Sequence, residues 1–408
     1  MKRHFTTLFV ASLLLVAFSS NIKSAEIPVA SGGDIASAIS GAASGDVIVL
    51  ADAGTYTITG TITLDKIITI KAADGTTITP IITVTASTAF NTSSTECGIT
   101  FDGLEFVGPE GSSYFIVTAA NDVIDHIRFY NTEIHHFGRC VVRSSNDPTN
   151  LRELIVDNCF IHNFTSSTWR LFWIRHNNID RIELKNSTFA KFTESVLYKD
   201  GNDTGADTII VNNCTVSEKI GADNNGVFFV NAESFPSSFS FSNSIVTNIE
   251  SDTSVFVMSP NVADTIRNSR YYSISATALP LNEWNQSTEY SEADPLYADA
   301  ANNDYMIGNE SFKTASTAGG VIGDPRWYDN QTGLKPIKYS SSATIIPTKN
   351  QVLFSEKVKS ATVYSLTGSV VKSAKNVDHI LIKDLKSGIY IVKIKDSKGT
   401  VTAVKVVK

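Results

Sequence analysis

Three cations end short apolar segments and could together form a binding surface. Arg143, Arg175 and Lys199 are the last residues of the segments RCVVR, LFWIR and SVLYK. If these segments are strands stacked in register, the cations form a line on one outer face, about 4.8 Å apart. Like charges at that distance repel one another, and a polyanionic ligand along the face would relieve the repulsion. The simpler alternative is that long charged side chains solvate an exposed sheet.

Aromatic residues adjoin this row of cations. Trp173 stands two residues before Arg175, Tyr198 directly precedes Lys199, and Trp169 lies nearby. Aromatic rings beside cations suit the faces of sugars, although an outward Trp can also pack under a long loop. The sequence therefore predicts Trp173 and Tyr198 as contacts for a sugar ligand.

The loop DGNDTGAD at 200–207 is the nearest approach to a metal site. It carries Asp200, Asp203 and Asp207 and begins like a calcium-binding loop. It lacks the glutamate that such a loop has at its twelfth position, so a solvated turn is the alternative. Calcium is the one cofactor that this pattern suggests.

Three histidines fall outside these patterns. His135, His136 and His162 occupy a loop column together with Lys191 and Glu218. Because no third acidic partner recurs beside them, we interpret them as part of a solvated loop.

A repeated phrase must position these residues. Each copy has two alternating apolar residues, then Asn, a small Thr, Ser or Cys, one variable residue and an apolar residue. The asparagines are Asn131, Asn158, Asn186, Asn213 and Asn243, separated by 27, 28, 27 and 30 residues. A constant period of about 20–50 residues is typical of stacked repeats. Since the alternation has the period of a strand, the unit is a coil of short strands. We expect Asn on the inner side of a turn, bonded to the asparagines above and below.

Composition narrows the class of protein. The chain has 408 residues, 42% of them apolar, and a net charge of −7. Without a basic run in its middle, it is not expected to bind nucleic acid. Residues 1–25 read as a signal peptide, with Lys2 and Arg3 before an apolar stretch, and no later segment is long enough to span a membrane. The four cysteines are expected to be buried free thiols, because Cys159 and Cys214 lie two coils apart.

Changes in pattern along the chain predict its organisation. A short amphipathic helix in DIASAISGAASGDVIVL is expected to cap the open end of the stack. The predicted segments are a signal peptide (1–25), a cap with the first coils (26–107), Asn-bearing coils (about 108–260), a closing segment (261–335), a linker (336–349) and a small β-rich unit (350–408).

Two resemblances follow from these residues. GDVIVLADAGTY, the Asn-bearing coils and DPLYADAANNDY resemble the pectate-lyase-like parallel β-helix proteins of Bacteroidota glycan-degrading systems. The end of the chain, with LKSGIYIVKI and the basic tail KVVK, is similar to the C-terminal sorting domain of type IX secretion cargo. The resemblances imply an all-β fold, in which a right-handed single-stranded parallel β-helix with an N-terminal helical cap precedes a small antiparallel β-sandwich. They also imply a protein that is secreted or held on the outer cell surface.

The first resemblance also implies a function. In lyases of this fold, the catalytic groove lies on the strand that precedes the one ending in the Asn turn, and the three cations belong to that strand column. Arg143, Arg175 and Lys199 are then candidates to bind carboxylates and to abstract a proton from an acidic glycan such as pectin. The acidic calcium trio of those lyases is not recognisable on this column. A non-catalytic glycan-binding protein and a structural or adhesive surface protein therefore stay open as alternatives, and a monomer is expected.

Overall fold

The computed structural model describes residues 24–408 apart from 94–95, 145–148, 166–168, 176, 202–207, 221–225, 232–236, 250–253, 260–261, 275–289, 329–344, 348–350, 366–369, 387 and 396–400. Of the predicted signal peptide, residues 1–23 lie outside the described part. The chain forms two compact units, Met1–Trp327 and Tyr328–Lys408. No helix among the described residues is long and apolar enough to cross a membrane.

The first unit is a β-solenoid of three parallel sheets, in which each turn of the chain adds one strand to each sheet. Sheet A stacks Glu26–Val29, Val47–Leu50, Ile67–Ala72, Cys97–Asp102, Val123–Tyr130, Thr149–Asp157, Arg181–Lys185, Thr208–Asn212, Ser237–Ser242 and Val262–Arg267, and Asn177–Asn178 pairs at its side. Sheet B stacks Thr55–Ile58, Ile81–Val84, Glu105–Val107, Glu133–His135, Phe160–Phe164, Thr188–Phe192, Thr215–Lys219, Ile245–Ile249, Ser269–Ile274 and Tyr290–Glu292. Sheet C stacks Ile62–Leu64, Thr88–Thr92, Tyr114–Val117, Val142–Ser144, Phe172–Arg175, Leu197–Asp200, Phe228–Val230 and Phe256–Met258. The predicted all-β stack of parallel coils is confirmed.

Alternation along each strand builds the core. The two apolar residues before each Asn point inward, and their exposure is at most 1%: Ile127/Phe129, Leu154/Val156, Ile182/Leu184, Ile209/Val211 and Phe239/Phe241. Because successive side chains of a strand point to opposite faces, the residues between them face outward. The four cysteines are buried and free, as predicted.

The turn from sheet A to sheet B depends on one left-handed residue. All five repeat asparagines have positive φ, from 47° to 55°. The same position holds Gly103 in an earlier coil and Asn268 in a later one, with φ of 71° and 43°. Glycine and asparagine are the residues that tolerate this conformation best. The recurring Asn is therefore explained by backbone geometry.

The residue after each Asn lies on the inner side of this turn. The small side chain after each Asn has at most 1% exposure: Thr132, Cys159, Ser187, Cys214, Ser244 and Ser269. Its hydroxyl satisfies buried backbone groups, since Ser187 Oγ accepts from Cys159 N at 3.0 Å and donates to Lys185 O at 2.5 Å. The expected inward Asn ladder is thus only partly correct. Asn158 donates to Asn131 Oδ1 at 2.6 Å, but Asn186 donates to Asp157 Oδ1 at 2.8 Å.

A segment that we call the closing strap, residues 294–327, crosses the outside of these turns. It contains a hairpin of Tyr297–Asp299 with Asp304–Ile307 and the 3-10 helices Ala300–Asn302, Glu310–Thr314 and Pro325–Trp327. Asn213 and Asn268 donate to the strap carbonyls of Val321 and Ala315, at 2.8 and 2.6 Å. The later asparagines therefore bind the strap.

Asp324 anchors the strap to sheet B. Its side chain has no solvent exposure, accepts a hydrogen bond from Thr188 Oγ1 at 2.7 Å, and forms an ion pair with Arg326 Nε at 2.7 Å. Trp327 Nε1 donates to the same threonine at 2.7 Å. The strap thus covers part of the outer face of sheet B with a buried polar network.

The remaining elements are few. The helix Ile35–Gly41 begins at Asp34, whose carboxylate accepts from Ser37 N at 3.1 Å, and it buries Ile35 and Ile39. The second unit is a five-stranded antiparallel sheet with its own core, formed by Ile345–Pro347, Gln351–Ser365, Val370–Leu381, Ile389–Lys395 and Val401–Val407. Its first strand, Ile345–Pro347, lies inside the segment 336–349 that is predicted as a linker, and it pairs with Val352–Phe354.

The left-handed turn predicts an asymmetric response at Asn186. Asn186→Leu should lower the free energy of unfolding by about 2–3 kcal/mol, since it adds the left-handed strain of a branched side chain to the loss of a hydrogen bond. Asn186→Gly removes only the hydrogen bond and should cost about 1 kcal/mol. Denaturant unfolding of both variants measures the difference, and equal losses would contradict the backbone explanation.

The buried network predicts that Asp324 is among the costly polar positions of the first unit. Asp324→Ala should lower the free energy of unfolding by about 3 kcal/mol or more, because it leaves Arg326 without its partner. The matched control is Glu310→Ala, which removes an ion pair with Lys313. The Glu310 side chain is 78% exposed. The control should change stability by less than about 0.5 kcal/mol. Similar melting of the two variants would show that the strap is not anchored through Asp324.

Candidate functional site

The outer face of sheet C carries one continuous column of arginine and aromatic side chains. Arg143 lies opposite Trp173, Trp173 opposite Tyr198, and Tyr198 opposite Phe229 in consecutive parallel strands. All four are partly exposed. The rings of Tyr198 and Phe229 stack at 4.4 Å with an interplanar angle of 7°. The two predicted sugar contacts, Trp173 and Tyr198, therefore lie side by side.

The predicted line of three cations is wrong. In the observed register Arg143 pairs with Trp173, Arg175 with Asp200, and Lys199 with Ile174. Lys199 points into the core with 1% exposure, whereas Arg175 is exposed. The segments had been aligned by their last residues, but the strands are offset by one or two positions. A slip of one residue exchanges the two faces of a strand, so Lys199 is removed from the outer surface.

Further arginines and rings from the preceding loops extend this column. We call the surface formed by Tyr114, Arg139, Arg143, Trp169, Arg170, Trp173, Tyr198 and Phe229 the arginine–aromatic face. The Arg139 guanidinium lies 4.8 Å from the Trp169 ring centroid, and that of Arg143 lies 5.6 Å from the Trp173 centroid. Arg170 lies 4.1 Å from the Tyr198 centroid. Each distance is within the range of a cation–π contact.

Two acidic residues hold part of this positive charge. Arg170 forms an ion pair with Glu194, whose side chain is 5% exposed. Arg175 Nε lies 3.9 Å from Asp200 Oδ2, and Asn231 Nδ2 donates to Asp200 Oδ1 at 3.0 Å. Asp200 is therefore engaged with neighbours on sheet C. The other two predicted calcium ligands, Asp203 and Asp207, lie outside the described residues.

Three donors on the face have no acceptor within the part of the chain that the structure describes. Arg139 Nε, Arg170 Nε and Trp173 Nε1 are buried from solvent and make no hydrogen bond among the described residues. Buried donors of this kind need an acceptor from water or a ligand. Burial raises the pKa of Tyr198, which keeps its phenol protonated at neutral pH and available as a further donor. The face thus combines apolar ring surfaces with hydrogen-bond donors and positive charge.

Sequence reasoning missed half of this surface. Tyr114, Arg139 and Arg170 lie in or next to the loops that enter sheet C, where no periodic pattern marks them. Phe229 sits in the same column as Tyr198, two residues before Asn231, and could have been found by aligning the strands on their buried positions. Phe172, which lies next to the cluster in sequence, points into the core with no exposure.

The three histidines form a second cluster, on sheet B. His135 and His162 are opposite each other in adjacent strands, and their rings stack at 4.9 Å. They have 9% and 4% exposure, so the solvated-loop interpretation was wrong for both. Their acidic partners, Glu105 and Glu133, each come from the preceding coil. That offset hides the pairing in the sequence.

Comparisons with known proteins agree with the division of the chain. Residues 54–192 match the family model described as Domain of unknown function (DUF4957), residues 209–327 match Domain of unknown function (DUF5123), and residues 344–408 match the Secretion system C-terminal sorting domain. The search of curated proteins finds no match.

Two solved structures are similar to the chain. The PL6 family alginate lyase AlyGC shares 17% identity and a TM-score of 0.44, over 62% of this chain and 40% of the lyase chain. A single-residue variant of that lyase shares 18% identity and a TM-score of 0.45, over 66% of this chain and 40% of the lyase. The chain thus spans less than half the length of these lyases.

The match at the end of the chain concerns the location of the protein. The second unit has the antiparallel strands of an independent domain with a core of its own. Residues 344–408 are a type IX secretion sorting domain, and the protein is exported to the cell surface or beyond it.

Proposed function

We propose that the exported solenoid binds an acidic polysaccharide along the arginine–aromatic face. The observation that carries this proposal is the column Arg143–Trp173–Tyr198–Phe229, in which a guanidinium and three rings follow one another on adjacent strands. Adjacent strands are about 4.8 Å apart, so the column offers a regular series of contacts to an extended polymer. A polymer of repeating sugar units can therefore contact several strands of this column at once.

The chemistry of the face suits sugars that carry carboxylates. Aromatic rings offer apolar surfaces to the C–H faces of sugars, and Trp and Tyr add a polar donor at the ring edge. Arginine binds a carboxylate through two parallel hydrogen bonds. Arg143 and Arg175 are the two predicted cations that remain on the outer surface. A uronic-acid polymer such as pectin is therefore the proposed class of ligand.

Lysis of that polymer is the second proposal, and the geometry supports it less. A lyase needs a base near the sugar C5 proton and positive charge beside the developing enolate. Lys199, the one predicted amine, points into the core and cannot reach a ligand on the outer face. Arg143 and Arg175 remain the proposed catalytic cations, and calcium held at Asp200 remains a proposed cofactor. Binding without cleavage, or an adhesive role that uses it, agrees better with these positions.

Some finer features of the fold belong to the same proposal. We infer that the solenoid winds to the right, that the helix Ile35–Gly41 caps its first coil through the buried Ile35 and Ile39, and that the protein is a monomer. We also infer that the sheet of the second unit folds into two layers, because a register shift between Leu353 and Val358 divides its longest strand. None of these features changes the arginine–aromatic face.

The binding proposal predicts losses confined to one face. Arg143→Ala and Trp173→Ala should each weaken the binding of an acidic polysaccharide by about 1–3 kcal/mol, the scale of a charge-assisted or buried aromatic contact. The matched control is Arg152→Ala on sheet A, whose side chain is 52% exposed and paired with Asp125. Affinity electrophoresis and calorimetry on pectin and alginate measure the effect. If the control lowers affinity as much as the two variants, binding is a general charge effect and the face is not the site.

Binding and lysis are distinguished by whether the polymer is cleaved. A lyase leaves an unsaturated sugar that absorbs ultraviolet light, whereas a binding protein leaves the polymer intact. We expect the purified chain to bind uronic-acid polymers and to produce no unsaturated product, with or without calcium. Product formation that is lost in Arg175→Ala would establish lysis and overturn this expectation.

A further inference from the structure

The outer face of sheet B carries a pair of Glu–His contacts that repeats from one coil to the next. His135 Nε2 lies 3.2 Å from Glu105 Oε1, and His162 Nε2 lies 2.9 Å from Glu133 Oε1. Each histidine therefore reaches the glutamate of the preceding coil. Since Glu133 and His135 share one short strand, the two pairs interlock and their polar atoms converge.

Three of these side chains present ligand atoms to a common point. One ligand atom from each of Glu133, His135 and His162 lies within 4.8 Å of the other two. A tetrahedral ion with bonds of about 2.0–2.1 Å needs ligand atoms roughly 3.4 Å apart. The most distant pair of ligand atoms must therefore approach each other by up to roughly 1.4 Å when an ion binds. The parallel register, which stacks the two imidazoles at 4.9 Å, brings the donors together.

His162 has hydrogen-bonding capacity that the protein does not use. Its side chain is 5% exposed, yet Nδ1 is buried without a partner among the described residues. The Glu133 side chain is 40% exposed, so an ion can enter from solvent. A buried polar atom without a partner calls for an explanation, and an ion bound nearby is one such explanation.

A positive side chain lies near this cluster. Arg326 is among the charges that act on Glu133, and it is paired with Asp324 at 2.7 Å. The Asp324 carboxylate therefore offsets the charge of Arg326 beside the cluster.

We propose that Glu133, His135 and His162 form a binding site for a divalent transition-metal ion of the zinc type. Two imidazole nitrogens and one carboxylate oxygen suit Zn²⁺, whereas Ca²⁺ and Mg²⁺ prefer sites made entirely of oxygen. Three protein ligands leave a fourth position open to water or another ligand. The site is on sheet B, whereas the arginine–aromatic face is on sheet C, so the two proposals are independent.

Calorimetry with Zn²⁺ on the full chain tests this site. The protein is purified without a histidine tag, stripped with a chelator and titrated with Zn²⁺ alone, and the visible absorption of bound Co²⁺ reports the donor set. We expect one ion per chain. Glu133→Gln, which keeps the size and the hydrogen-bond acceptor, should weaken binding by more than about tenfold, and His162→Gln should do the same.

The matched control is a carboxylate–histidine pair outside the proposed site. His126 Nδ1 lies 2.8 Å from Asp125 Oδ2, and this contact belongs to a single histidine. Asp125→Asn removes the same negative charge beside a buried imidazole and should leave zinc affinity unchanged. Absence of zinc binding by the folded wild-type chain would overturn the proposal. Equal losses in Asp125→Asn and Glu133→Gln would also overturn it, because the ion would then bind through general negative charge.

Discussion

One left-handed residue follows each sheet A strand from Cys97–Asp102 to Val262–Arg267 and sets the geometry of these seven coils. Asparagine or glycine takes this conformation at low cost, and the residue after it can then turn a small side chain into the core. The buried hydroxyl or thiol satisfies backbone groups at the turn, as Ser187 does for Cys159 N and Lys185 O. Because these seven coils turn at the same point, their strands stay in register from one coil to the next.

The register of the strands determines which side chains lie next to one another on each outer face. On sheet C it aligns Arg143, Trp173 and Tyr198 into a column, and on sheet B it aligns His135 with His162. Neither cluster is local in the sequence, since its members are supplied by coils about 25–30 residues apart. The closing strap covers the later part of sheet B through Asp324 and Trp327. The earlier part, with the histidines, keeps a glutamate open to solvent.

The spacing of the asparagines was enough to predict the stacked coils, the inward apolar pairs and the buried cysteines, because period and alternation are direct consequences of strand geometry. It was not enough to predict which side chains lie on the outer faces of the sheets. Lys199 was assigned outward by matching the ends of three segments, and an offset of one residue placed it in the core. The partners of His135 and His162 are glutamates of the preceding coil, which no linear pattern brings together. The contacts of the strap with Asn213 and Asn268 depend on tertiary packing, and the sequence carries no periodic signal for them.

A crystal structure with a bound uronic-acid oligosaccharide tests the central claim most directly, since that claim is the placement of the ligand on sheet C. We predict that sugar rings lie on Trp173 and Tyr198, with a carboxylate held by Arg143 or Arg175. Electron density for the oligosaccharide on sheet A or sheet B, with the arginine–aromatic face empty, would contradict the account.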